Sequence, residues 1–282
     1  MPRALTICVV TVLACVAHGA SAQTVPSTTQ IIRTEERLSA YAYAHEFGSG
    51  IYDLSGRTLQ VYRLPFARTL REPSKTQSGI RLMLPVTLGF LDFNTRDILG
   101  AQLPHHIDSL SFVPGIEWVL QRGDNWRLYP YFKVGGSFAN GATVDSTLYG
   151  AGIRAEYTRR IGRWKTVWRD DLIYSGVNFR GDLPSDHFVR WRQGVDGLRA
   201  TGFEWRGFVL QAGAFAVVDV YPDAPRGALI GTQLPVVNLE AGFTFNWSPQ
   251  PRLWRIGCPR LGISYREAGR ISGWRVVLGA PF

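Results

Sequence analysis

The stretch Gly262-Ile263-Ser264-Tyr265-Arg266 comes nearest in this sequence to a catalytic motif. A nucleophilic serine on a sharp strand-to-helix turn needs a glycine on either side, because a side chain there would block the turn. Arg266 stands where the second glycine belongs, and the stretch alternates like a strand. Such a serine also needs a neighbouring base. Beyond residue 22 the histidines are His45, His105, His106 and His187, and none lies in a serine-containing motif. His105, His106 and Asp108 are metal-ligand types at close spacing, yet in a long polar connector they read as a solvated loop. Cys8 and Cys15 sit in an N-terminal apolar run, which leaves Cys258 alone downstream. A lone thiol makes no internal disulfide and no zinc or haem spacing. The expectation is therefore no catalytic residue, no metal ligand and no cofactor.

The remaining chemistry is charge. The chain carries a formal net charge of +9, and among its 31 basic residues only Lys75, Lys133 and Lys165 are lysines. Guanidinium forks suit carboxylates and phosphates. The basic-plus-aromatic module of a nucleic-acid reader is missing, so no nucleic acid is expected as a partner. Lipid phosphates, or a pore lined by guanidinium groups, fit an exported basic chain better.

The elements that place these charges are alternating strands. In 109–121, Leu110, Phe112, Pro114, Ile116, Trp118 and Leu120 share a face, against Ser111, Gly115, Glu117 and Gln121. In 237–247, Leu239, Ala241, Phe243, Phe245 and Trp247 oppose Asn238, Glu240, Gly242, Thr244 and Asn246. The stretches 80–90 and 148–157 repeat the pattern, with Arg81, Arg154 and Glu156 on their polar faces. Further strands are expected over 38–47, 59–67, 126–138, 164–174, 187–200, 203–217, 260–266 and 274–282, about twelve in all. Asp170 and Asp171 are adjacent and cannot share one face, which makes 164–174 the weakest of these. No apolar stretch reaches helix-spanning length, so a membrane-spanning form of this chain must be an all-β antiparallel barrel. Long connectors (94–108, 176–186, 219–231) alternate with short ones (122–125, 159–162, 201–202, 248–252), as outer loops alternate with periplasmic turns. The connector 68–77 departs from that rhythm. Tryptophans near strand ends (Trp118, Trp126, Trp164, Trp205, Trp247, Trp254, Trp274) suit interfacial girdles.

Parity places Glu117, Arg127, Lys133, Arg154, Glu156, Glu240, Arg260, Arg266 and Arg275 inside such a barrel. One reading is an electrostatic lining that selects solutes. The other, favoured by the limited interior of a small barrel, is a salt-bridge ladder that fills the lumen. Arg180, Arg190, Arg192 and Arg226 read as loop and rim arginines able to pair with lipopolysaccharide phosphates.

The chain's two ends fit export and insertion. Residues 1–22 read as a secretory signal, with Arg3, the apolar run 4–16 and Ala20-Ser21-Ala22 as cleavage site. Val12-Leu13-Ala14-Cys15 offers the alternative of lipidation at Cys15. Residues 23–37 form a short segment before the barrel domain, 38–282. At the other end Trp274, Val276, Leu278, Ala280 and Phe282 fall on one face of a closing strand that runs to the aromatic terminus.

Strand number, length and aromatic end together resemble the translocator β-domain of autotransporters. The segments Arg63-Leu64-Pro65-Phe66, Leu70-Arg71-Glu72-Pro73, Leu84-Pro85-Val86-Thr87-Leu88-Gly89-Phe90 and Ser111-Phe112-Val113-Pro114-Gly115-Ile116-Glu117 resemble solitary autotransporter-like barrels, which carry no large passenger. The resemblance runs from about residue 62 to 176 and is generic beyond. It implies outer-membrane location and contact with membrane lipid and lipopolysaccharide. It also implies assembly by the barrel assembly machinery through Trp274, Val276, Leu278 and Phe282. No established substrate, cofactor or reaction comes with it. A family feature, a linker helix through the pore, is matched by Ser27 and Gln30 at capping-box spacing before a polar run. Arg33, Glu35, Glu36 and Arg37 would then meet wall charges; the bland alternative is a frayed tail. The functional expectation is a non-enzymatic surface or structural barrel. A narrow channel for small solutes, anionic ones included, and an outer-membrane lipid-modifying hydrolase are the alternatives.

Overall fold

Inside a bilayer an unpaired backbone amide has no water to turn to, so a spanning sheet must close on itself. This chain closes. The structure, a computed structural model, describes residues 49–54, 57–74, 76–91, 109–139, 146–180, 185–223, 237–253, 256–257, 260–268 and 271–282. The strands are β1 (Gly50–Leu54), β2 (Arg57–Arg71), β3 (Gly79–Leu91), β4 (Ser109–Phe112), β5 (Gly115–Arg122), β6 (Trp126–Ala139), β7 (Ser146–Ile161) and β8 (Trp164–Phe179). They continue as β9 (Asp186–Trp205), β10 (Phe208–Asp223), β11 (Val237–Ser248), β12 (Arg252–Leu253), β13 (Ile256–Gly257), β14 (Leu261–Ala268) and β15 (Ile271–Leu278). β4 and β5 are halves of one strand, split at Val113-Pro114 beside Pro85 of β3, where residues without an N–H cannot sustain the ladder. β12 and β13 form a separate small hairpin. The rest pair in antiparallel sequence order, and β15 returns to β1 with Gly50 opposite Arg275 and Leu54 opposite Ile271. The result is a closed barrel of 12 strands.

Burial is inverted relative to a water-soluble sheet. Phe243 is 65% exposed, Trp274 58% and Leu239 57%, all on the outer wall, while Glu117, Asp219 and Arg266 inside are at most 1% exposed. Lipid on the outer face and packed polar groups on the inner face account for this division. Aromatic rings gather on the outer wall at the end bearing the tight turns: Trp126 stacks on Tyr157 at 4.8 Å, and Tyr157 lies 5.6 Å from Trp168. Phe203 and Trp247 continue this belt at 6.2 Å.

Four sequence expectations change. The β9–β10 turn is Arg206-Gly207, not 201–202, with φ of 51° and 80° and Trp205 opposite Phe208. Paired positive φ values match the twist of a two-residue hairpin. Thr201-Gly202 is instead a bulge, where the register slips between Val209 and Gln211. The connector after β11 is not a short turn ending at 252 but holds the β12–β13 hairpin. Strand 164–174 forms and extends to Phe179; Asp171 turns inward and Asp170 outward, which resolves their adjacency. Finally, the closing strand stops at Leu278, and the four residues after it leave the wall. The expected first strand, 38–47, lies outside the described residues, as do Cys258, Trp254, His45, His105, His106, Asp108 and residues 1–37.

Candidate functional site in the barrel lumen

Alternation delivers one inward side chain per residue pair from every strand, so charges on neighbouring strands meet at matching heights. A first chain of ion pairs runs along the inner wall from β3 to β9. Arg81 donates to Glu117, which is fully buried, and Arg154 Nη1 approaches the other Glu117 oxygen at 3.2 Å. Arg154 Nε stands 4.0 Å from Asp171, and Arg190 Nη2 lies 3.6 Å from the same carboxylate. Tyr131 adds a hydrogen bond to Asp171 at 2.9 Å.

A second chain continues from β9 to β15. Arg192 grips Asp219 with two bonds, at 2.6 and 2.8 Å. Arg266, 1% exposed, bridges Asp219 at 3.0 Å and Glu240 at 3.2 Å. Arg275 Nη1 reaches both Glu240 oxygens at 2.9 Å. Two separate pairs lie nearer the turn end: Arg169 with Glu156 at 2.6 Å, and Arg260 with Asp196 through two bonds of 2.6 Å. Buried ion pairs hold only when the geometry is good and the remaining donors and acceptors are engaged. These pairs stitch strands far apart in sequence into one inner girdle.

The residues after β15 supply what the girdle leaves unfilled. Gly279, at φ 93°, turns the chain out of the wall, and its N–H donates to Arg260 O at 2.7 Å. Only a residue without Cβ takes that conformation cheaply. Pro281 is buried and its carbonyl accepts a 2.7 Å bond from Arg275 Nη2. Phe282 then lies under Arg169 of β8 at 5.1 Å and 6.3 Å from the Phe215 ring of β10. A Cβ added to Gly194 of β9 would sit 2.8 Å from the Phe282 ring, so that glycine is the socket for it. Between β15 and these partners stand β14 and β11, so the segment crosses the lumen rather than following the wall.

The crossing divides the lumen into two chambers that share Ala280, Pro281 and Phe282 as a wall. The one toward the tight turns, about 270 Å³, is lined by Arg127, Glu156, Lys165, Arg169, Asp196 and Arg260 among others. The inner one, about 330 Å³, is lined by Arg63, Arg81, Lys133, Arg154, Arg169, Arg190, Arg192 and Arg275, with Asp171 the one acidic side chain in its described lining.

All nine charges assigned to the lumen by parity face it. Glu117, Arg154, Glu240, Arg266 and Arg275 join the girdle, Glu156 and Arg260 the flanking pairs, and Arg127 and Lys133 the chamber walls. Parity missed Asp171, Asp196 and Asp219. The signal for Asp219 was present, since it ends an alternating run with Phe215 and Val217. Arg190 and Arg192 are corrected: they lie inside the barrel, paired with Asp171 and Asp219, and are turned away from any lipopolysaccharide. Trp274 and Val276 lie on the outer wall as expected, and Leu278 ends the strand. Phe282 is corrected from that outer face to the lumen, because alternation stops at Gly279. Ser264 Oγ is buried and donates to Glu240 at 2.6 Å, so it serves the girdle. Arg33, Glu35, Glu36 and Arg37 fall outside the described residues.

This inside-out, closed barrel is an outer-membrane β-barrel fold. Among solved structures it is similar to the translocator domain of the autotransporter NalP from Neisseria meningitidis, with a TM-score of 0.51 and 11% identity over 90% of this chain and 97% of that one. The β-domain of the Bordetella autotransporter BrkA gives 0.49 at 11% identity over 81% and 96%, and LpxR from Salmonella typhimurium 0.41 at 11% over 88% and 95%. At such identities the likeness concerns fold alone, and the comparison with NalP carries it: a closed β-barrel similar to that translocator domain. No protein-family model and no curated relative matches the sequence.

Proposed function

We propose that the chain is an integral outer-membrane barrel resembling an autotransporter translocator without a passenger, with a surface or structural role and no catalysis. The observation that supports this most is the segment 279–282, which crosses a lumen already braced by paired arginines and carboxylates. A conduit would keep that axis clear. In this reading residues 1–22 direct export and are removed, the tight turns face the periplasm, and the longer connectors meet lipopolysaccharide. The last strand, through Trp274, Val276 and Leu278, would engage the barrel assembly machinery.

The test is single-channel conductance of the refolded protein beside a version lacking residues 23–37. The proposal expects the intact protein to be silent. Steady conductance of the intact protein would sink it and favour the narrow diffusion channel. Conductance of the truncated version alone would add the 23–37 segment to the closure.

A further inference from the structure

We infer that the outer wall at the turn end carries a binding surface for anionic phospholipid headgroups, built by the β7–β8 and β9–β10 hairpins. Arg159, Arg160 and Arg163 lie on the first hairpin and Arg199 and Arg206 on the second, all five exposed. Within 157–168 and 197–210, which hold both turns, Glu204 is the only acidic residue. Among the described residues none of the five arginines pairs with a carboxylate, unlike Arg192, Arg260 and Arg266 in the lumen. The arrangement does not serve the hairpin itself. Arg160 stands directly opposite Lys165, and like charges so placed destabilise a strand pair. An anionic partner offsets that repulsion.

Two ring contacts fix the level at which these cations sit. Arg199 lies over the Trp164 ring at 6.0 Å, and Arg206 over the Trp205 ring at 4.8 Å. Both tryptophans are exposed on the outer wall, and Trp164 packs on Gly197, where an added Cβ would come within 3.3 Å of the indole. Outward tryptophans at strand ends mark the headgroup layer of a bilayer. Guanidinium groups stacked on them are held at the height of the lipid phosphates. Arg159 reaches the same wall, since it shares the alternation of Ile153 and Tyr157. It stands opposite Thr166, which in turn stands opposite Gly197. Arg199 is the next outward residue after Gly197, so two arginines flank Trp164 from strands two places apart, about 10 Å. Guanidinium forks take the paired oxygens of a phosphodiester, and a headgroup of net negative charge adds an attraction that a zwitterionic one lacks. Arginine set among tryptophans favours a lipid over a soluble polyanion, because a lipid brings phosphate and hydrocarbon to the same edge of the wall.

The surface exists only if the barrel stands in a bilayer, as proposed above, and insertion and lipid preference can be read separately. The full chain is refolded into phosphatidylcholine vesicles holding a trace of spin-labelled phosphatidylcholine or spin-labelled phosphatidylglycerol. Electron paramagnetic resonance then measures the lipid immobilised by the protein. Immobilised phosphatidylcholine reports insertion, and the ratio of the two lipids reports preference. Phosphatidylglycerol should be preferred by about fivefold, the amount one arginine contributes near an anionic headgroup, and the preference should fall as salt is raised. Arg159→Gln combined with Arg199→Gln should bring it below about twofold. Arg206→Asn, in a turn whose conformation suits asparagine, should also lower it and serves if the double variant fails to fold. Equal immobilisation of the two lipids by an inserted barrel would overturn the inference alone, as would a preference undiminished in these variants. No immobilised lipid of either kind would overturn the outer-membrane reading with it. Retention of soluble cell-wall glycan fragments, with no preference between the lipids, would assign the arginines to a glycan and overturn the inference too.

Discussion

Replacing Glu240 by glutamine should destabilise the barrel more than replacing Arg266 by methionine, although both remove one member of the same buried pair. Glu240 holds Arg275 through two 2.9 Å contacts, Arg266 at 3.2 Å and Ser264 at 2.6 Å. Unit charges about 4 Å apart attract by about 4 kcal/mol at an effective dielectric of about 20. Removing one partner of a buried pair costs about 3–5 kcal/mol once lost hydration is counted. Glu240→Gln keeps the shape and one acceptor, but it releases two guanidinium groups into a lumen already rich in cations; about 3–4 kcal/mol is expected. Arg266→Met leaves Asp219 held by Arg192 at 2.6 and 2.8 Å and Glu240 held by Arg275. Both carboxylates thus keep a guanidinium partner, so about 1–2 kcal/mol is expected. The assay is reversible urea unfolding in lipid vesicles followed by tryptophan fluorescence, and the gap between the variants should be about 2 kcal/mol. Equal losses, or a larger loss for Arg266→Met, would refute the claim that Glu240 anchors two guanidinium groups while each partner of Arg266 keeps a second cation.

Other consequences can be checked in the same way. Gly194→Leu fills the socket of the Phe282 ring and should unlock the crossing segment, turning a silent barrel into a conducting one in planar bilayers. Asp170 hydrogen-bonds Gln193 at 2.8 Å on the outer wall, beside exposed Leu172 and Trp191. A lipid-facing carboxylate is unfavourable, so Asp170→Val should stabilise the barrel in vesicles by about 1 kcal/mol; a loss would mean that the pair meets something other than lipid. Arg206 adopts φ 51° in the β9–β10 turn. Arg206→Asn suits that conformation better and should raise the unfolding midpoint, by about 0.5 kcal/mol in stability.

The barrel was legible because lipid and lumen impose opposite demands on alternate residues, and the sequence of 237–247 displays that demand without exception. Parity therefore located Glu117, Glu240 and Arg275 without any structure. What it could not locate is where alternation ceases to mean strand. Ala280 and Phe282 continue the period of Trp274 and Val276, yet Gly279 at positive φ redirects them across the lumen. Gly279 with Pro281 two residues later was the available hint. Thr201-Gly202 misled for the converse reason: a glycine in a strand permits a bulge as readily as a turn. Asp219 falls in the connector 219–231 on the sequence pattern, whereas β10 extends to Asp223 and keeps Asp219 on the inward face of Phe215 and Val217. Pairing between Arg260 and Asp196, 64 residues apart, follows from barrel closure and has no local signature.

The most direct measurement is oxidative cross-linking between cysteines placed by Gly194→Cys and Phe282→Cys, with the native cysteines replaced by serine. A segment that crosses the lumen predicts rapid, high-yield cross-linking in the folded barrel and none in the urea-unfolded chain. A cysteine at 282 that stays uncross-linked while reacting with a lipid-dissolved maleimide would place the residue on the outer wall. That result would contradict the closed-lumen account.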